Sequence, residues 1–176
     1  FLFTVEFFPE EGKYHYDGHR LCAVSMKPEE SKAHKNMCPK CGRPLTIGVL
    51  NRVAELADRP PFAEASGGKP EGAIPFKSLI PLEEIIADAL GVGAASKRVR
   101  EEYEKLIQAL GSEFHILLTE DISDIRSATL PEIAEGIKRV REGRVKIEPG
   151  YDGEYGKIKI FAEGEQQAIT TQKSLF

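Results

Sequence analysis

Four metal-capable side chains at fixed spacing restrict this chain more than any other feature. His19-x2-Cys22 is followed after fifteen residues by Cys38-Pro39-Lys40-Cys41-Gly42. Two x2 knuckles joined by roughly fifteen residues are what a tetrahedral zinc ribbon requires. The Cys-Pro-Lys-Cys-Gly turn sets two thiolates around one ion. Cys22 supplies a third, and His19 is the expected fourth ligand. His34, three residues before Cys38, is the alternative, and His15 a more remote one. With three cysteines the chain has no disulfide framework, because one is left over. Four protein ligands leave no open position for water, so the expected zinc is structural. A segment of roughly 45 residues buries too little core to fold alone, and a metal cross-link would supply the difference.

The rest of the chain divides around that module. Across 176 residues, 41% apolar and 30% charged with both signs mixed, no apolar run approaches the ~18 residues of a membrane span. Net charge is −4, so nucleic-acid binding has to come from local patches. The opening Phe1-Leu2-Phe3-Thr4 has neither methionine nor a basic segment before an apolar one, and reads like a piece of a longer polypeptide. The expected divisions are a strand or link at 1–12, a zinc-binding module at 13–60, a linker at 61–78, a helical DNA-binding domain at 79–161 and a mobile tail at 162–176. Residues 23–37 are polar and read as a loop, and Thr46 reads as the cap of a helix bearing Val49, Leu50, Val53 and Leu56. The fold class is α+β, mainly α: a small zinc-ribbon-like module, then a helical domain with a helix-hairpin-helix and a terminal β-hairpin.

In the second half, Leu82, Ile85, Ile86 and Leu90 mark one helix, and Val99, Tyr103, Leu106, Ile107 and Leu110 a second. Between them stands Leu90-Gly91-Val92-Gly93, the pattern of a helix-hairpin-helix. Gly91 and Gly93 permit a tight turn and close approach of a phosphate. The N–H groups opening the second helix would face that phosphate, with Lys97, Arg98 and Arg100 adding charge. Such contacts read the DNA backbone and carry no sequence preference. A third helix reads from Thr129-Leu130-Pro131-Glu132 as a capping box, with Ile133, Ile137 and Val140 buried. Its basic run Lys138, Arg139, Arg141 and Arg144 is either helix C-terminal compensation or a second DNA contact. Val145-Lys146-Ile147 and Lys157 to Phe161 read as a hairpin around the turn Pro149 to Gly156.

Three stretches together carry a family resemblance. They are Phe7-Phe8-Pro9-Glu10-Glu11-Gly12-Lys13-Tyr14-His15-Tyr16-Asp17-Gly18-His19-Arg20 with the CPxCG turn, Leu90-Gly91-Val92-Gly93, and Pro149 to Gly156. The chain resembles the C-terminal part of endonuclease Q, a DNA-repair nuclease. The resemblance implies a zinc module and a helical domain beside a catalytic domain of the polymerase-and-histidinol-phosphatase type, which would hold its own divalent metal. It further implies cleavage 5′ of deaminated bases (uracil, hypoxanthine, xanthine) and abasic sites, in the cytoplasm. The His-x-His and Asp-x-His motifs of such a catalytic domain do not occur here, so the isolated chain is expected to bind DNA without cutting it. No catalytic residue is assigned: Glu10, Glu11, His15, Asp17 and His19 follow a strand and could move protons, but His19 fits zinc better. The alternative is a stand-alone zinc-ribbon and hairpin module that binds nucleic acid or a partner without chemistry. Finally, Gln172, Leu175 and Phe176 resemble the start of a sliding-clamp-binding motif.

Overall fold

The computed structural model describes residues 2–57, 72–162 and 165. The architecture is α+β and mainly α, in two compact units. The first comprises Phe1–Ser78 and Ile147–Lys157; the second comprises Leu79–Lys146 and the chain from Ile158. The segment 147–157, expected within the helical domain, therefore groups with the zinc-type module. Backbone bonds hold it there: Gly150 N–H donates to Glu10, Gly153 N–H to Lys13 and Gly156 N–H to Glu11, at 2.8, 2.9 and 3.0 Å.

Short elements build the first unit. Strand β1 (Thr4–Glu6) runs parallel to β4 (Phe76–Ser78), and β2 (Asp17–His19) pairs antiparallel with β3 (Val24–Met26). Helices α1 (Pro28–Ala33) and α2 (Val49–Leu56) complete it. The expected loop at 23–37 is thus a strand and a helix. Its polarity misleads because most of the polar side chains face solvent from a short strand and helix, while one of them, Ser31, is turned inside. Buried Asp17 accepts from Ser31 Oγ, from Asn51 Nδ2 at 2.6 Å and from Gly48 N–H at 2.7 Å. This carboxylate joins β2, α1 and α2, a structural task that accounts for its place in the acidic and histidine cluster. Gly48, not Thr46, precedes α2, and Thr46 Oγ1 donates to Asp152 instead at 2.5 Å. The apolar stripe of α2 also faces the other way from expectation. Val49, Val53 and Leu56 are exposed, while Asn51 is the buried position.

Helices make up most of the second unit: α3 (Leu82–Leu90), α4 (Lys97–Leu110), α5 (Glu113–Leu118), α6 (Ile122–Ala128) and α7 (Pro131–Arg141). Leu82, Ile85, Ile86, Val99, Leu106, Ile116, Ile125, Ile133 and Ile137 are fully buried. Packing is close: a Cβ at Gly136 of α7 would lie 3.0 Å from the Ile85 side chain. Helices α5 and α6 are additions to the sequence reading, each opened by a side-chain cap from Ser112 and Asp121 respectively. Thr129 closes α6 and does not cap α7. Its hydroxyl donates to Glu102 at 2.7 Å, Leu130 precedes α7, and Glu132 is buried instead of closing a capping box. Strands β5 (Lys146–Glu148) and β6 (Lys157–Lys159) form the expected hairpin. No helix among the described residues is long and apolar enough to cross a membrane.

Candidate metal centre and nucleic-acid interface

The β2–β3 connection carries the first knuckle. His19 ends β2, a single 3-10 turn (Arg20–Cys22) follows, and Ala23 reverses the chain with a left-handed φ of 48°. The second knuckle is closed by backbone bonds, Cys38 N–H to Arg43 and Gly42 N–H to Cys38, at 2.7 and 2.8 Å. Thr46 and Gly18 exchange N–H···O bonds of 2.8 and 2.9 Å, which draws the two knuckles together.

The ligand atoms of His19, Cys22, Cys38 and Cys41 consequently lie within 4.8 Å of one another, with Cys41 Sγ 3.4 Å from His19 Nδ1. Tetrahedral zinc sets such atoms roughly 3.3–3.8 Å apart, so a slight contraction of the group forms the shell. Three thiols and an imidazole suit a metal of zinc's type. His19 is the histidine of this group; His34 closes α1 and the His15 ring stacks on Tyr16.

The thiols differ in acidity. Hydrogen bonding to the Cys41 sulfur, with burial and the nearness of Cys38, pushes Cys22 up to about 11. Burial also pushes Cys38 up, but N–H donation from Cys41 and Lys40 and contact with His19 overcome it and bring the thiol to about 6. The thiols share their protons within the cluster, and metal entry would displace those that remain. Beside the knuckles, Asp152 takes Arg20 N–H at 2.6 Å and the Thr46 hydroxyl. Those two bonds, against the opposing effect of burial, hold its carboxyl below the usual carboxylate range. Sequence reasoning missed this anchor. Its only signal was an aspartate beside a glycine in a turn, which is ordinary turn chemistry.

In the second unit, Gly91 ends α3 in the left-handed region (φ 63°) and Ser96 caps α4, its Oγ accepting from Val99 N–H. The space that a Cβ would enter at Gly91 and at Gly93 is open. Lys97, Arg98 and Arg100 are exposed, with Lys97 paired to Glu101 at 3.2 Å.

The basic run of α7 is used differently. Arg141 donates to the carbonyls of Ile116, Leu117 and Glu120 at 2.5, 3.1 and 2.7 Å, which closes the C-terminal end of α5. Arg139 lies over the Phe161 ring and bonds Glu135, Ile160 O and Glu165, holding the Glu165 carboxyl down at about 2. Arg144 pairs with Glu135 and Glu142, and Lys138 with Glu142. Arg139 and Arg141 are thus engaged inside their own unit, while Lys138 and Arg144 carry ion pairs at its surface. The clamp-motif residues Gln172, Leu175 and Phe176 lie outside the described residues.

Comparison with known proteins supports the same resemblance. Residues 81–144 match the family described as the MJ0043 C-terminal domain. The chain is 39% identical over 155 residues to the uncharacterized protein MJ0043 of Methanocaldococcus jannaschii, covering 86% of this chain and 18% of that protein. It is 28% identical over 152 residues to the uncharacterized protein YqxK of Bacillus subtilis, covering 86% and 34%. It is similar to the lesion-specific endonuclease PfuEndoQ from Pyrococcus furiosus, with a TM-score of 0.75 at 33% identity over 90% of this chain and 38% of that one. A structure of endonuclease Q with a 27-mer duplex carrying an abasic lesion at its active site matches with a TM-score of 0.70, again at 33% identity and the same coverage. The chain spans less than two fifths of the length of each of these relatives.

Proposed function

We propose that this chain is the DNA-binding part of a repair endonuclease that cuts 5′ of deaminated bases and abasic sites, its catalytic domain lying elsewhere in a longer protein. The observation that carries the proposal is the similarity, over nine tenths of the chain, to endonuclease Q. The metal of the first unit is zinc, held by His19, Cys22, Cys38 and Cys41. When bound it supplies a cross-link and no hydrolytic water, because the four protein ligands fill its positions.

Duplex contact falls to the α3–α4 turn. Gly93 has no positive φ and no crowding neighbour that would call for a glycine, so the open space above it suits a group from outside. The N–H groups of Lys97 and Arg98 open α4, where no intrahelical carbonyl reaches them and the helix dipole favours an anion. A DNA phosphate is that anion. Arg139 and Arg141 are left out of the contact set because their guanidinium groups are engaged within the fold.

Titration of the chain with duplex DNA at several salt concentrations tests the interface. Binding should be independent of sequence and weaken steeply with salt. Lys97→Ala with Arg98→Ala should lower affinity for every duplex and flatten the salt slope by about one unit per lost phosphate contact. Unchanged affinity would remove this turn from the interface. Incubating the longer protein with uracil-containing and abasic duplexes, with and without divalent metal, tests the nuclease assignment through nicking on the 5′ side of the lesion.

A further inference from the structure

The first unit presents an exposed aromatic and cationic surface that the zinc cross-link does not explain. Lys13 Nζ sits 5.7 Å from the centre of the Tyr14 ring and 5.6 Å from that of Tyr155. The rings stand 141 residues apart in the chain, yet both face solvent: Tyr155 is 72% exposed and Tyr14 46%. Arg20 belongs to the same surface. A Cβ built at Gly153 would lie 3.5 Å from Arg20 Nη1 and 3.7 Å from Tyr14 Oη.

The backbone beneath this surface is fixed. Gly153 N–H donates to Lys13 O, Gly156 N–H to Glu11 O and Tyr16 N–H to Gly150 O. At Gly156 the approach is so close that a Cβ would stand 2.1 Å from the Glu10 carbonyl oxygen, so only glycine fits. Of the two acids on the turn, Asp152 is occupied by Arg20 N–H and the Thr46 hydroxyl, and Glu154 is exposed next to Tyr155 in the chain. The result is two solvent-facing rings around an ammonium, with a guanidinium alongside, on a rigid support.

Exposed aromatic faces on a hydrogen-bonded backbone, with a cation between them, suit stacked bases and their phosphates. A paired duplex presents only phosphate and groove edges, whereas an unpaired nucleotide offers its π-face as well. From this we infer that the Lys13–Tyr14–Tyr155 platform binds unpaired nucleotides, Tyr155 and Tyr14 stacking on bases and Lys13 and Arg20 meeting the phosphates. This inference rests on the proposed DNA-binding reading and assigns the strand around an opened lesion to a place on the first unit, separate in sequence from the α3–α4 turn.

The test uses the full chain loaded with zinc and three fluorescent probes: a plain duplex, the same duplex interrupted by a short run of unpaired thymines, and single-stranded oligothymidine. Tyr14→Ala with Tyr155→Ala should weaken binding to the interrupted duplex and the single strand by roughly five-fold to over a hundred-fold, the range for losing a stacked base, while leaving the plain duplex unchanged. Tyr155→Phe should keep the affinity and Tyr155→Leu should lose it, because a base needs the ring and not merely apolar area. Glu154→Gln should tighten all binding to the unpaired probes. Cobalt absorption by the cysteine site reports that each variant is folded. Alanine and leucine variants that bind the unpaired probes like the wild type would overturn the inference and leave the platform to a protein partner. If no probe binds at all, the DNA-binding reading itself fails; if only Lys97→Ala with Arg98→Ala matters, the platform alone is wrong.

Discussion

The two units of this chain are held together by different physics. In the second, aliphatic side chains from five helices fill the core, and removal of any one costs packing. In the first, the fully buried side chains among the described residues are Asp17, Ser31 and Cys38, and a small apolar cluster of Val24, Cys38 and Leu45 has Cys22 and Met26 against it. Hydrogen bonds, glycine contacts and four converging metal ligands take the place of hydrophobic volume. A core of that size does not offset the entropy of ordering its residues. The comparison teaches that one chain can hold two regimes of stability, one built on buried polar groups and a cluster of metal-capable side chains, the other on aliphatic packing.

The largest effect should come from the ligands. Cys38→Ser should abolish stoichiometric metal binding and unfold the first unit, since apparent metal-binding energies of ~10–16 kcal/mol in zinc-finger peptides are folding energy. The helical signal of the second unit should survive, and circular dichroism with metal titration checks both. The converse change sharpens the contrast. Ile133→Ala, at a fully buried position of α7, should destabilise the second unit by about 2–5 kcal/mol in denaturant melts while leaving metal stoichiometry at one.

A smaller loss is expected from Arg141→Ala, about 1.5–3 kcal/mol for charged hydrogen bonds to three carbonyls, again confined to the second unit. An unchanged melt would return Arg141 to the surface and reopen the DNA-contact reading of that run. The smallest effect concerns pH. The Asp152 carboxyl is depressed in the folded chain, so its contribution is present above the ordinary carboxylate pKa of about 4 and is lost as pH falls through the lowered value. Asp152→Asn should reduce the acid sensitivity of the first unit below that point, as followed by metal release against pH.

What the sequence disclosed follows from how local each signal is. The ligand set was legible because metal geometry imposes spacing, and α3 and α4 because long periodic stripes and Gly91 and Gly111 punctuate them. Helices α5 and α6 escaped because six or seven residues complete barely two turns, leaving Ser112 and Asp121 as their only marks. Thr129 was misread as a cap because Glu102, distant in sequence, takes its hydroxyl. The same kind of distant partner inverted the reading of 23–37 and of α2, where Asp17 draws Ser31 and Asn51 inward and leaves Val49, Val53 and Leu56 outside. Nothing local announces that Tyr14 and Tyr155 meet around Lys13. That meeting depends on segment 147–157 joining the first unit.

Hydrogen exchange of the intact chain, with and without a strong chelator, tests the central contrast most directly. Chelation should erase protection at the Gly18, Cys38, Gly42 and Thr46 amides while those of Ile86, Leu106, Ile133 and Ile137 keep theirs. Equal loss in both units, or protection of the first unit that ignores the chelator, would contradict the account.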